Sequence, residues 1–116
     1  MDSKRRAELK QAYKNATPRG GVFKIYSSAT EETWVDTAGN VDAIKNRVWF
    51  TLRMGNHPNK GLQQAWNASG ADAMFFEVIE TFKEDVAGYE LERLMKSRKQ
   101  YWMDELMAAS VKPAGP

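Results

Sequence analysis

The chain has 116 residues, of which 42% are hydrophobic and 28% charged, and it contains no cysteine. This size and composition fit one globular domain with a real core, and the lack of cysteine excludes disulfides, thiolate metal sites and a thiol nucleophile. No apolar run approaches the roughly 20 residues that a membrane-spanning helix needs. The basic N-terminus has no apolar segment after it, so we expect no signal peptide, a cytoplasmic location and no membrane partner.

The charge is unevenly distributed along the chain. Residues 1–60 hold eleven Lys and Arg against six Asp and Glu, whereas residues 61–116 hold six against nine. A basic first half fits a polyanionic partner. An ordinary solvated surface with charges at helix ends explains the same counts equally well.

Periodicity and turn residues predict one domain over residues 1–110, with an N-terminal helical extension at 1–19 and a disordered tail at 111–116. Two β-prone runs with a short polar break between them form a predicted hairpin, and the glycines at its start allow another backbone or a ligand to approach closely. In chain order, the predicted elements are a helix at 3–15, strands at 20–27 and 33–36, helices at 41–54 and 61–66, a strand at 74–80 and a helix at 89–108. Within 20–108 this β-β-α-α-β-α order predicts an α+β fold with a three-stranded antiparallel sheet flanked by helices.

The helix at 41–54 has apolar residues on two sides. Val41, Ile44, Val48 and Leu52 follow the 3.6-residue period and predict a core face. Arg47, Phe50 and Met54 lie on roughly the opposite side, so we expect this helix to pack between the sheet and another helix. Further along, Arg98 and Glu105 lie close to the apolar stripe of the last helix, and we expect them to form an ion pair.

Several short matches in one order carry a family resemblance. The strands hold Gly21-Val22-Phe23 and Trp34-Val35-Asp36, and further matches are Asn46-Arg47, residues 54–60, Phe76-Glu77-Val78 and residues 101–106. Together they cover residues 20–107, and the chain resembles divergent bacterial and phage-type members of the GIY-YIG nuclease superfamily. The resemblance implies a GIY-YIG-like arrangement of the predicted elements, with DNA as partner.

The resemblance also implies roles for individual positions. In the family, two strand tyrosines position or deprotonate a water, an arginine on the first helix binds phosphate, and a glutamate on a later helix holds a divalent metal. The tyrosine positions are Phe23 and Trp34, which lack the hydroxyl, the arginine position is Arg47, and the metal-glutamate position is Ser97, which cannot hold a hard dication alone. Asp36 replaces the glycine of the second triplet.

A metal-holding carboxylate relocated to Asp36, Glu90 or Glu92 is a further option that the sequence leaves open. The residues expected to contact nucleic acid are Arg47, Lys45, Arg53, His57 and Lys60. His57 has two interpretations of equal weight, one as a loop-closing residue and one as a contact to phosphate or base.

Three functions follow from these observations. The first is a nuclease-like domain that binds nucleic acid, with weakened or lost phosphodiester cleavage and no cofactor. The second is an active endonuclease with rearranged groups that depends on Mg²⁺ or Mn²⁺. The third is a non-catalytic module for a protein partner. The sequence leaves both catalytic activity and oligomeric state open.

Overall fold

A computed structural model describes residues 19–83 and 86–112 of the chain. The helix predicted at 3–15 lies outside these residues. The strands are β1 (Gly21–Ser27), β2 (Thr33–Ala38), β3 (Met74–Thr81) and β4 (Ala109–Ser110), and the helices are α1 (Ile44–Arg53), α2 (Lys60–Ser69) and α3 (Gly88–Leu106). A short 3₁₀ turn, Ala71–Ala73, leads into β3. No helix in these two ranges is long and apolar enough to cross a membrane.

The predicted hairpin is present. β1 and β2 pair antiparallel from Gly21 opposite Ala38 to Tyr26 opposite Thr33. The Ser27 hydroxyl accepts a hydrogen bond from the Thr30 amide at 3.2 Å, and Glu31 adopts a left-handed backbone at φ 60°. A polar five-residue connection therefore reverses the chain, as its composition predicts.

The α+β class is confirmed, but the predicted three-stranded antiparallel sheet is wrong in one respect. The sheet has four strands in the order β3-β1-β2-β4, and β4 runs parallel to β2, so the sheet is mixed. β4 has only two residues, which is too short for any alternation of apolar and polar side chains to mark it in the sequence.

Gly21 shows why β1 begins with glycine. A Cβ atom at this position would lie 2.3 Å from the carbonyl oxygen of Glu80 on β3. This glycine therefore permits the close approach of the β3 backbone. A β-bulge between β1 and β3 follows directly, between Val22 and Phe23.

The sheet carries a core on each face. Phe23, Ile25 and Trp34 point toward α1 and α2 and pack with Val48, Trp49, Leu52, Leu62, Ala65 and Trp66. Val22 and Val35 point the other way and pack with Phe82 and the apolar side chains of α3. This split follows from the period-two alternation of side chains along a strand.

Two local predictions fail. The first is the start of the disordered tail at residue 111, because Val111 is 5% exposed in the α1–α2 core and its amide donates to the Val35 carbonyl at 3.1 Å. The rest of the predicted tail, residues 113–116, lies outside the described residues. The expected Arg98–Glu105 ion pair is also wrong. Arg98 Nε instead donates to Glu80 Oε1 on β3 at 2.8 Å, and Trp102 Nε1 donates to the same oxygen at 2.8 Å. In both cases the sheet provides a nearer partner than the local sequence does.

Candidate functional site

Arg47 lies at the junction of the hairpin and the first helix. It is exposed on α1 and lines a cavity of about 270 Å³ together with the end of β2 and the connection that follows, residues 37–40, 43 and 44. The helix thus places a guanidinium beside the end of the hairpin. A guanidinium in this setting suits bidentate contact with a phosphate.

Phe23 and Trp34 do not reach this cavity. Phe23 is 2% exposed and stacks on Phe76 of β3 with ring centroids 5.2 Å apart, and Trp34 is 3% exposed in the same core. A phenyl ring has no hydroxyl and an indole N–H only donates, so neither side chain can accept a proton from water. At the two positions that the resemblance assigns to tyrosine, the side chains therefore pack in the core and supply no acid–base group.

Asp36 is held by three donors from three parts of the chain. Its Oδ1 accepts from the Thr37 amide at 2.8 Å and lies 3.2 Å from Lys99 Nζ of α3, while its Oδ2 accepts from the Lys112 amide at 3.0 Å. The Asp36 and Lys99 side chains are only 16% and 22% exposed. This carboxylate links β2 to α3 and to the C-terminal segment. Its charge is balanced by the Lys99 ammonium, which makes it a poor ligand for a metal ion.

Lys99 is the α3 residue that pairs with the Asp36 carboxylate of the hairpin, and sequence reasoning missed it. Ser97, predicted to stand at the metal-glutamate position, is exposed and lines a cavity along α3 with Glu90, Arg93, Leu94, Lys96 and Gln100. The signal that could have found Lys99 is the carboxylate of Asp36 at a glycine position, which requires a cationic partner once it is partly buried.

The remaining basic residues do not converge on Arg47. Lys45 Nζ lies 5.7 Å from the Trp49 ring centroid, Arg53 is in the last turn of α1, and Lys60 is the first residue of α2. Lys60 and His57 line a second cavity of about 330 Å³ with residues 55, 56, 63 and 64. The predicted nucleic-acid contacts are thus spread along the α1–α2 layer.

His57 closes the loop that joins the two helices. Its Nδ1 accepts a hydrogen bond from the Asn59 amide at 3.0 Å, and its own amide donates to Gln63 Oε1 at 3.0 Å. Burial lowers the pKa of His57 below its usual 6.5. The ring is therefore neutral near pH 7, with Nε2 left as the donor.

Asn59 connects this loop to the C-terminus, a role that the sequence analysis did not assign. Its Oδ1 caps α2 by accepting from the Leu62 amide at 3.0 Å, and its Nδ2 donates to the Ser110 and Val111 carbonyls at 2.8 and 3.1 Å. An asparagine just before a helix is a recognisable cap in sequence. Its second set of partners, more than 50 residues away, is not.

The residues around Arg47 do not fit a divalent metal. Within residues 19–83 and 86–112, no three His, Asp or Glu side chains are grouped so that they could hold an ion. Glu90 and Glu92, the other candidate carboxylates, are exposed on α3. The ammonium group of Lys99 beside Asp36 would also repel a dication.

Comparisons with known proteins give a match in structure only. No family model and no curated protein matches the sequence. Among solved structures, a point mutant of the catalytic domain of intron endonuclease I-TevI superposes with a TM-score of 0.67 at 19% identity, over 84% of this chain and 97% of that one. Another structure of the catalytic domain of homing endonuclease I-TevI gives a TM-score of 0.63 at 19% identity, over 81% and 99%.

These matches cover nearly all of the I-TevI catalytic domain and more than four fifths of this chain. The chain therefore has the fold of a GIY-YIG nuclease domain.

Proposed function

We propose that this chain is a nucleic-acid-binding domain, with DNA as its partner, in which a nuclease fold has lost phosphodiester cleavage. The observation that carries the proposal is the burial of Phe23 and Trp34, at 2% and 3% exposure, where the family has catalytic tyrosines. Hydrolysis of a phosphodiester needs an activated water and a cation for the developing charge. Among the described residues, those that line the cavity at Arg47 include no His, Asp or Glu that could act as a general base, and no metal-ligand cluster is present.

Support for retained binding comes from the charge of the α1–α2 layer. Residues 43–71 contain no Asp or Glu. Their basic residues are Lys45, Arg47, Arg53 and Lys60, together with the single histidine, His57. Asp42, immediately before this stretch, is paired with Arg19 through two contacts of 2.7 and 2.9 Å. A surface with basic groups and no competing carboxylates attracts phosphates.

Binding can be tested with the purified full chain and fluorescein-labelled duplex DNA over about 50 to 200 mM salt, where phosphate contacts weaken steeply. We expect Arg47→Ala to reduce the slope of log K against log salt by about one, since one phosphate contact is lost. Lys96→Ala, which removes an exposed cation from α3, is the matched control and should leave the slope unchanged. Absence of binding at the lowest salt would favour the protein-interaction module instead.

Cleavage is tested separately, with supercoiled, linear and branched DNA in the presence of Mg²⁺ or Mn²⁺. We expect no nicking above the background of a mock purification. Cleavage that Arg47→Ala abolishes would refute the loss of activity and support the rearranged endonuclease.

A further inference from the structure

Two large apolar side chains, one on α1 and one at the residue that caps its C-terminus, are exposed on the side of Arg47. Phe50 is 64% exposed and Met54 59% exposed. They follow Arg47 by three and seven residues, so all three side chains share one face of the helix. The sequence predicted that another helix would cover this face, but the opposite face of α1 is the one that packs in the core.

The charge around Phe50 favours a polyanion over an ordinary protein surface as its partner. Arg47 and Arg53 flank it three residues to either side, and both are exposed. Neither α1 nor α2 contains a carboxylate, as noted above. The α1 face thus combines an accessible aromatic ring with cations, on a helix whose own sequence holds no carboxylate.

Phe75 provides the contrast. It is 55% exposed on β3 opposite Tyr26, on the sheet face away from α1 and α2. Glu77 lies two residues further along the same side of the strand, and it pairs with Lys24 at 3.3 Å. An exposed ring in that mixed-charge setting has no electrostatic preference for phosphate.

A nucleic acid with unpaired bases matches both features of the α1 face. Phosphates contact the arginines, and a base freed from its duplex can stack on the phenyl ring. Within a continuous duplex the faces of the bases are already stacked on one another, so no base is free to stack on Phe50. Residues three apart on a helix have Cβ atoms about 5–6 Å apart, a separation that suits a phosphate and a base of one nucleotide.

We infer that the Arg47–Phe50–Arg53 face of α1 is a stacking site for an unpaired base, so that the chain prefers single-stranded or locally unpaired nucleic acid to continuous duplex. This inference rests on the proposed function and narrows it. Phe50 supplies the preference for unpaired bases, and the arginines supply affinity for the backbone.

The experiment compares three labelled DNA probes of equal length: a single strand, a continuous duplex and a duplex with a central internal loop. Each is titrated with wild type, Phe50→Ala, Phe50→Trp and Phe75→Ala, and folding of every variant is checked by urea unfolding. We expect Phe50→Ala to weaken binding of the single-stranded and looped probes by about fivefold or more, since one stacked base is worth about 1–3 kcal/mol. Phe50→Trp should preserve binding, and Phe75→Ala should leave it unchanged.

Salt dependence separates stacking from charge. We expect Phe50→Ala to weaken binding without changing the salt slope, in contrast to Arg47→Ala. A single strand carrying 5-iodouracil should also crosslink on irradiation to the peptide that contains Phe50.

Each alternative result has a definite meaning. Salt-dependent duplex binding that Phe50→Ala does not affect, with no preference for unpaired probes, would overturn this inference and leave the proposed function standing. Failure of every probe to bind would overturn both. Self-association that Phe50→Ala abolishes, together with DNA binding that it leaves intact, would assign the face to a second copy of the chain and overturn the inference.

Discussion

The Lys99 ammonium of α3 lies 3.2 Å from the Asp36 carboxylate of β2. The pair joins the edge of the hairpin to the long helix, and the Lys112 amide on the same carboxylate adds the C-terminal segment. A positive charge fixed at this place satisfies Asp36 within the chain. These contacts stabilise the fold where the hairpin, α3 and the C-terminal segment meet.

Lys99→Ala should destabilise the fold by about 1–2 kcal/mol, because it leaves a partly buried carboxylate without its charged partner. Urea unfolding measures the change, and Lys96→Ala on the same helix is the matched control. A double-mutant cycle with Asp36→Asn should give a coupling energy of about 1 kcal/mol. Equal unfolding midpoints for Lys96→Ala and Lys99→Ala would show that the pair contributes nothing.

Phe23→Tyr should not restore catalysis and should lower the free energy of unfolding by about 1–3 kcal/mol, because the new hydroxyl enters a packed core. Phe75→Tyr, at an exposed site on the neighbouring strand, should be close to neutral. Chemical denaturation and plasmid nicking are the two measurements. A Phe23→Tyr variant as stable as wild type that nicks DNA would contradict the assignment of this position to the core.

The hairpin and the α1 core face could be predicted because each depends on local periodicity. Val22 and Phe23 alternate along a strand, and Val48 and Leu52 recur one helical turn apart. Periodicity does not predict that Arg47 lies beside the hairpin, because no local rule fixes the distance between two elements.

The parts that sequence reasoning missed depend on tertiary contacts. Lys99 and Asp36 are 63 residues apart in numbering, and although a carboxylate at position 36 indicates a need for a cation, no local pattern identifies Lys99 as that cation. β4 exists because its two residues lie alongside β2, and Phe50 is exposed because no element within residues 19–83 and 86–112 covers its face of α1. An apolar residue on a helix predicts burial on average, and this position is an exception that points toward a partner.

Asn59→Ala should destabilise the chain by about 2–3 kcal/mol, because it removes the α2 cap and both hydrogen bonds to the C-terminal carbonyls. Hydrogen exchange should become faster at the Val111 and Lys112 amides, which Asn59 helps to hold against β2. Asn46→Ala, at an exposed position of α1, is the matched control. Unchanged exchange at Val111 in the Asn59→Ala chain would mean that β4 docks independently of this side chain.

His57 makes the stability of the fold depend on pH. Because burial lowers its pKa in the folded chain, the unfolded chain, with a pKa near 6.5, binds the proton more readily. Above that pH the ring is neutral in both states and has no effect. As the pH falls below it, the free energy of unfolding decreases, and the loss levels off once the pH is below the folded-state pKa.

His57→Asn isolates this effect, because an asparagine oxygen can accept the Asn59 amide in place of Nδ1 and does not titrate. We expect the stability difference between the two chains to be constant above about pH 7 and to shift in favour of the variant as the pH falls from about 6.5 to 5. Carboxylates common to both chains titrate alike and cancel in the comparison. Since His57 is the only histidine, a difference that stays constant across this range would mean that the ring is as easily protonated in the folded chain as in the unfolded one, and that the loop does not hold it neutral.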